Sequence, residues 1–148
     1  MKLLAVQVMW IHRGDENFSG WNPFVLIHTD YGNELKRNGF IEEILVHEAA
    51  HAALDEEHAD ASGWRLAQAA DLTFVSTYAM EHPDREDIAE TFPAWMAIRY
   101  LGDRIPTNMT NAIRNSIPYR LPVFGRSEFR YASDNSSTLT RPEPKPCL

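Results

Sequence analysis

Ile41-Glu42-Glu43-Ile44-Leu45-Val46-His47-Glu48-Ala49-Ala50-His51-Ala52-Ala53-Leu54 is the stretch on which the fold reading turns. Its apolar residues Ile41, Ile44, Leu45 and Leu54 recur at three- and four-residue spacings, the period of a helix with one buried stripe. Asn38 and Gly39 stand just before it as a start signal, so the spacing predicts a helix over about 41–56. His47 and His51, four residues apart, then leave the same helix face one turn from each other.

Upstream, residues 3–12 are apolar enough for a buried strand, with Gly14 and Asp15 as a turn and 15–23 as a loop. Phe24-Val25-Leu26-Ile27-His28 reads as a second strand, ended by the turn formers Thr29-Asp30-Tyr31-Gly32. Downstream, Ala61 to Ala70 reads as a shorter helix with Ser62 near its start, and Phe74 to Tyr78 as a strand or an irregular approach. His82-Pro83-Asp84 places proline at a first helical position, which predicts a helix over about 83–100. Pro93 deletes the hydrogen bond to the Ala89 carbonyl and is expected to kink it. A further helix is expected near 107–116, and the segment 133–148, with Pro142, Pro144 and Pro146, as a mobile tail.

The chain has 148 residues, the size of one ordinary domain, here taken as 1–132. Hydrophobic residues at 44% and charged residues at 24% are those of a folded chain. Fourteen Lys and Arg against 21 Asp and Glu give a net charge of −7, which removes the footprint a nucleic-acid or anionic-membrane binder needs. The apolar runs fall well short of the roughly 20 residues that span a bilayer. The N-terminal stretch reads as a strand and not as a signal peptide. A single cysteine, Cys147, allows no internal disulfide, and the sequons at Asn17, Asn108 and Asn135 do not fix a compartment.

His47-Glu48-Ala49-Ala50-His51 is an H-E-x-x-H pentad. Two imidazoles on one helix face can converge on one tetrahedral Zn²⁺, with the intervening glutamate pointing to the water beside it. Zinc lowers the pKa of that water, so Glu48 is expected to serve as general base and then to protonate a leaving amine. A histidine pair on a helix can instead form a solvated or hydrogen-bonded face. Helix placement, alanine at both variable positions and an available third ligand weigh against that reading, and a purely structural site has no use for Glu48.

Catalytic zinc takes three protein ligands and keeps one position open. The candidates for the third are His58, Asp55, Asp60, Glu86, Asp87 and Glu90. A metzincin would carry glycine and histidine where Leu54 and Glu57 stand, and His58 is one residue out of that register, which leaves it accessory. Glu86 and Glu90, four apart on a second helix, face one direction. One of them can bind metal while the other fixes the tautomer of a ligand histidine. Asp84 and Asp87 read as helix-start charges. Asp55, one turn beyond His51, either braces that histidine or sits on a solvated acidic face. Trp64 and Trp95 read as core.

The pentad followed by Glu86-Asp87-Ile88-Ala89-Glu90-Thr91-Phe92, an E-x-x-A-E-x-F pattern, resembles the gluzincin clan of zinc metallopeptidases. The nearer likeness is to the compact zinc endopeptidases of the anthrax lethal factor and Pro-Pro endopeptidase type, over roughly Phe24 to Tyr100. The resemblance implies Glu86 as third ligand and Glu90 as the carboxylate behind a ligand histidine. It also implies a tyrosine that supports an oxyanion slightly upstream of the third ligand, which Tyr78 matches. In such relatives an edge strand above the active-site helix pairs with an extended peptide or protein substrate, and Phe24–His28 is expected in that role. The fold expected is α+β: a single minimal zincin domain whose small N-terminal sheet packs on the active-site helix, followed by a helical part supplying Glu86 and Glu90. A catalytically silent zinc-binding domain, and a hydrolase of other amides or esters, would share the same ligands.

Overall fold

The computed structural model describes residues 6–125. The expectations for residues 3–5, Asn135, Cys147 and the tail from Ser133 lie outside them. The fold is α+β, with a three-stranded sheet and six α-helices among the described residues.

Strand β1 is Val8–His12, β2 Ser19–Trp21 and β3 Phe24–His28, in the order β1-β3-β2. β1 runs parallel to β3, and β2 antiparallel to it. Phe24–His28 is therefore the central strand, with both edges already paired, and cannot take the edge position expected of it. The edge next to the helices is β2, inside the segment read as loop; Ser-Gly-Trp has no β-branched run to announce a strand.

Helix α1 spans Thr29–Asn38, where a turn was expected. Its turn-forming residues give little intrinsic helix preference, and packing supplies the rest: Gly32 and Leu35 are buried on one side. Gly32 admits the Phe18 ring, which a Cβ would approach to 3.2 Å. Gly39 ends this helix in the left-handed region at φ 79°, donating to Lys36, while Phe40 N–H reaches Leu35. The Asn38-Gly39 signal thus stops one helix immediately before the next starts.

Helix α2 is Ile41–Leu54, continued by a π-helical turn at Asp55–Ala59. α3 is Ser62–Ala70 and α4 is Thr77–Glu81, the latter capped by the Ser76 hydroxyl, which accepts from Ala79 N–H at 3.0 Å. That cap resolves the ambiguous stretch after Phe74 as an approach to a helix. α5 is Asp87–Tyr100 and α6 is Thr107–Ser116. α5 starts four residues later than expected and runs unbroken through Pro93. Residues 83–86 form a turn instead of a first helical turn, because the Pro83 carbonyl is taken by Gln68 Nε2 at 2.9 Å.

α2 packs most extensively on α5 and β2. Ala50, Leu54, Trp64, Ala67, Ile88, Ala89, Val123 and Phe124 form the core between α2, α3 and α5, with Phe92 and Trp95 packed against it. Full burial of a side chain such as Leu54 or Ile88 contributes about 1.5–3 kcal/mol. Trp64 is thus a core residue, and Trp95, half-buried, packs against the core. No helix among the described residues is long and apolar enough to cross a membrane.

Candidate metal centre

The α2–α5 packing brings the pentad against the start of α5. His47 and His51 face each other with Nε2 atoms 3.1 Å apart. Glu86 Oε2 lies 3.1 Å from His51 Nε2 and 3.5 Å from His47 Nε2. Glu86 is 5% exposed and His47 8%.

The far side of each imidazole is already engaged. His47 Nδ1 lies 3.1 Å from Glu90 Oε1, and His51 Nδ1 lies 2.7 Å from Asp55 Oδ2. A carboxylate only accepts, so each Nδ1 carries a proton, and a ring in its neutral, metal-binding form then turns a bare Nε2 lone pair inward. Two lone pairs and a carboxylate oxygen then point at one spot. A single proton can bridge only one pair of them, whereas a cation satisfies all three. Tetrahedral coordination with bonds of about 2.0–2.2 Å separates neighbouring donors by about 3.3–3.6 Å, close to the triangle observed. The donor set therefore fits a divalent ion, and two imidazoles with one carboxylate suit zinc. Among the described residues these three form the group able to hold a metal.

Glu48, next to His47, lines the same cleft of about 930 Å³. Burial pushes its carboxyl above the ordinary glutamate range, against the lowering effect of His47, His51 and a hydrogen bond from the Gly20 N–H. That contact requires close approach of β2 to α2: a Cβ at Gly20 would overlap the Glu48 carbonyl oxygen. Burial lowers the His51 ring pKa, but the hydrogen bond and charge of Asp55 outweigh it and leave the ring above its usual value. The Glu90 carboxyl lies below its usual range, first through the hydrogen bond from His47 and then against the cost of burial.

Tyr78, 45% exposed, sits on α4 beside Glu86 and lines the cleft. Partial desolvation and then the Glu86 carboxylate push its phenol above the ordinary range. Arg85 Nη2 donates to Glu86 Oε1 at 3.1 Å, which leaves Oε2 for the imidazoles.

The structure thus brings His47, Glu48, His51, Asp55, Tyr78, Glu86 and Glu90 to one cleft. His58 is not among the residues lining it, and Asp60 pairs with Arg65 at 2.6 Å. Asp84 also pairs with Arg65, at 2.8 Å. Asp87 is not an exposed helix-start charge: its side chain is fully buried and bonded to Arg120 and Gln68. Sequence reasoning missed Gly20, Arg85 and Arg120. Gly20 and Arg120 act through contacts between distant segments, which no local pattern announces. Arg85, adjacent to a predicted ligand, could have been found.

Compared with family models, with curated proteins and with solved structures, the chain matches none.

Proposed function

We propose that this protein is a zinc-dependent metallopeptidase of gluzincin type, with His47, His51 and Glu86 as ligands. The observation that carries the reading is the convergence of two Nε2 atoms and Glu86 Oε2 at 3.1–3.5 Å, each imidazole backed by a carboxylate. Bound zinc supplies Lewis-acid polarisation of a carbonyl and acidification of water.

The chain's own residues supply the proton handling. Glu48, held by the Gly20 N–H, takes one proton from the attacking water as its oxygen bonds to the peptide carbonyl carbon. It returns that proton to the departing amine when the C–N bond breaks, so water is consumed and an acid and an amine are released. Tyr78, with its phenol held protonated, donates to the carbonyl oxygen as negative charge develops there. Asp55 and Glu90 keep both imidazoles in the ligand tautomer. The edge available to an extended substrate is β2, whose Ser19, Gly20 and Trp21 line the cleft opposite α5.

The test is a cleavage screen on a proteome-derived peptide mixture with metal analysis of the same preparation. Cleavage by the zinc-loaded wild type, lost in Glu48→Gln at unchanged zinc content, is the expected result. Equal cleavage by both proteins overturns the reading.

A further inference from the structure

Asp71, Asp87 and Arg120 carry side chains with 0% exposure, an arrangement that is costly to bury. Arg120 Nε donates to Asp71 Oδ2 at 2.9 Å, Nη1 donates to Asp87 Oδ1, and Nη2 donates to the Thr73 carbonyl. The guanidinium also lies 4.5 Å from the centre of the Phe74 ring. Asp71 accepts in addition from the N–H groups of Tyr119 and Arg120, at 2.9 and 3.0 Å. Gln68 on α3 completes the set, donating from Nε2 to Asp87 Oδ2 at 2.8 Å and to the Pro83 carbonyl at 2.9 Å.

An apolar cluster of the same volume would hold these segments together at least as well. Directional bonds do something an apolar cluster does not: they fix where one atom stands. The residue fixed from two sides is Asp87, and its chain neighbour is Glu86. The turn over 83–86 is gripped as well, through Pro83 by Gln68 and through Asp84 by Arg65 at 2.8 Å. Apart from the His82 carbonyl, which accepts from the Arg85 and Glu86 N–H groups, and the contact of Glu86 itself with the histidines, the side chains that grip this turn come from α3, and Asp87 just beyond it is held by Arg120.

We propose that Arg120 and Gln68 are positioning residues for the metal centre, holding the start of α5 so that Glu86 Oε2 stands against His47 and His51. The inference rests on the metal-site reading and adds to it a dependence on side chains remote from the cleft. Precise placement of a third ligand matters because outer partners of ligand residues typically change metal affinity 10–100-fold.

The experiment measures zinc affinity of the chelator-stripped full chain by competition with a chromogenic chelator, for wild type, Arg120→Met, Gln68→Leu and Leu35→Ala. Leu35 is a buried residue of α1, outside the core cluster that includes Ile88, Ala89 and Val123, and its truncation controls for loss of stability alone. All proteins are compared at a temperature where circular dichroism shows them folded. The expected result is tenfold or greater loss of zinc affinity in Arg120→Met and Gln68→Leu, with Leu35→Ala within about twofold of wild type. If Arg120→Met does not fold, Gln68→Leu, which removes the bonds to Asp87 and Pro83 and the one that Gln68 accepts from Arg65, decides alone. Wild-type affinity in the folded positioning variants, or an equal loss in Leu35→Ala, overturns the inference while the metal site stands. Absence of zinc binding by wild type overturns the metal site itself and this inference with it.

Discussion

His51 Nδ1 lies 2.7 Å from Asp55 Oδ2, one helical turn further along the same chain segment. The bond decides which nitrogen of His51 carries a proton and turns the other toward His47 and Glu86. Asp55→Ala is expected to lower zinc affinity by about 10–100-fold while leaving the helix intact. Competition with a chelator measures the affinity, and far-ultraviolet circular dichroism checks the helix. An unchanged affinity would make Asp55 a solvated surface acid.

Glu48 stands in the cleft with its carboxyl raised by burial and no role in the triangle of donors. Glu48→Gln keeps size and hydrogen bonding but removes the proton acceptor. It is expected to lower kcat by about 10²–10⁴ at unchanged zinc content. Loss of zinc together with activity would instead assign Glu48 to the coordination sphere.

Glu86→Ala removes the one carboxylate oxygen that, among the described residues, lies within 3.5 Å of both Nε2 atoms. His58→Ala alters a residue that does not line the cleft. Bound zinc is expected to fall sharply in the first variant and to stay at the wild-type level in the second, as measured by atomic emission after dialysis. The reverse order would move the third ligand to the π-helical turn.

Gly20 lets β2 touch α2 at the Glu48 carbonyl, where a methyl group would overlap backbone. Gly20→Ala should destabilise the protein by about 1–3 kcal/mol in urea unfolding, since the strand has to move. Gly125→Ala, with no atom within 4 Å of the added Cβ, should stay within about 0.5 kcal/mol. Equal stability of the two variants would mean that the strand relaxes freely and does not fix Glu48.

The parts of this fold that could be read from the sequence are those whose signal is local. The apolar spacing of α2 and the four-residue separations of His47 from His51 and of Glu86 from Glu90 lie within a turn or two of chain. The structure sets these side chains around one cleft. What was misread depends on long-range contacts. α1 is a helix although it opens on the turn formers Thr29-Asp30-Tyr31-Gly32, because Gly32 and Leu35 are buried and Gly32 lies against the Phe18 ring. β2 is a strand because β3 was available to pair with it, which moved the free edge from Phe24–His28 to Ser19–Trp21. Asp87 has the sequence position of a surface charge at a helix start, but its partner Arg120 lies 33 residues on, beyond the reach of any local pattern.

The most direct test is calorimetric titration of zinc into chelator-stripped protein, run for wild type and for His51→Ala. A metal centre built from His47, His51 and Glu86 predicts one tightly bound ion per wild-type chain and no tight binding in the variant. Binding of the same stoichiometry and affinity by His51→Ala, or none by either protein, would contradict it.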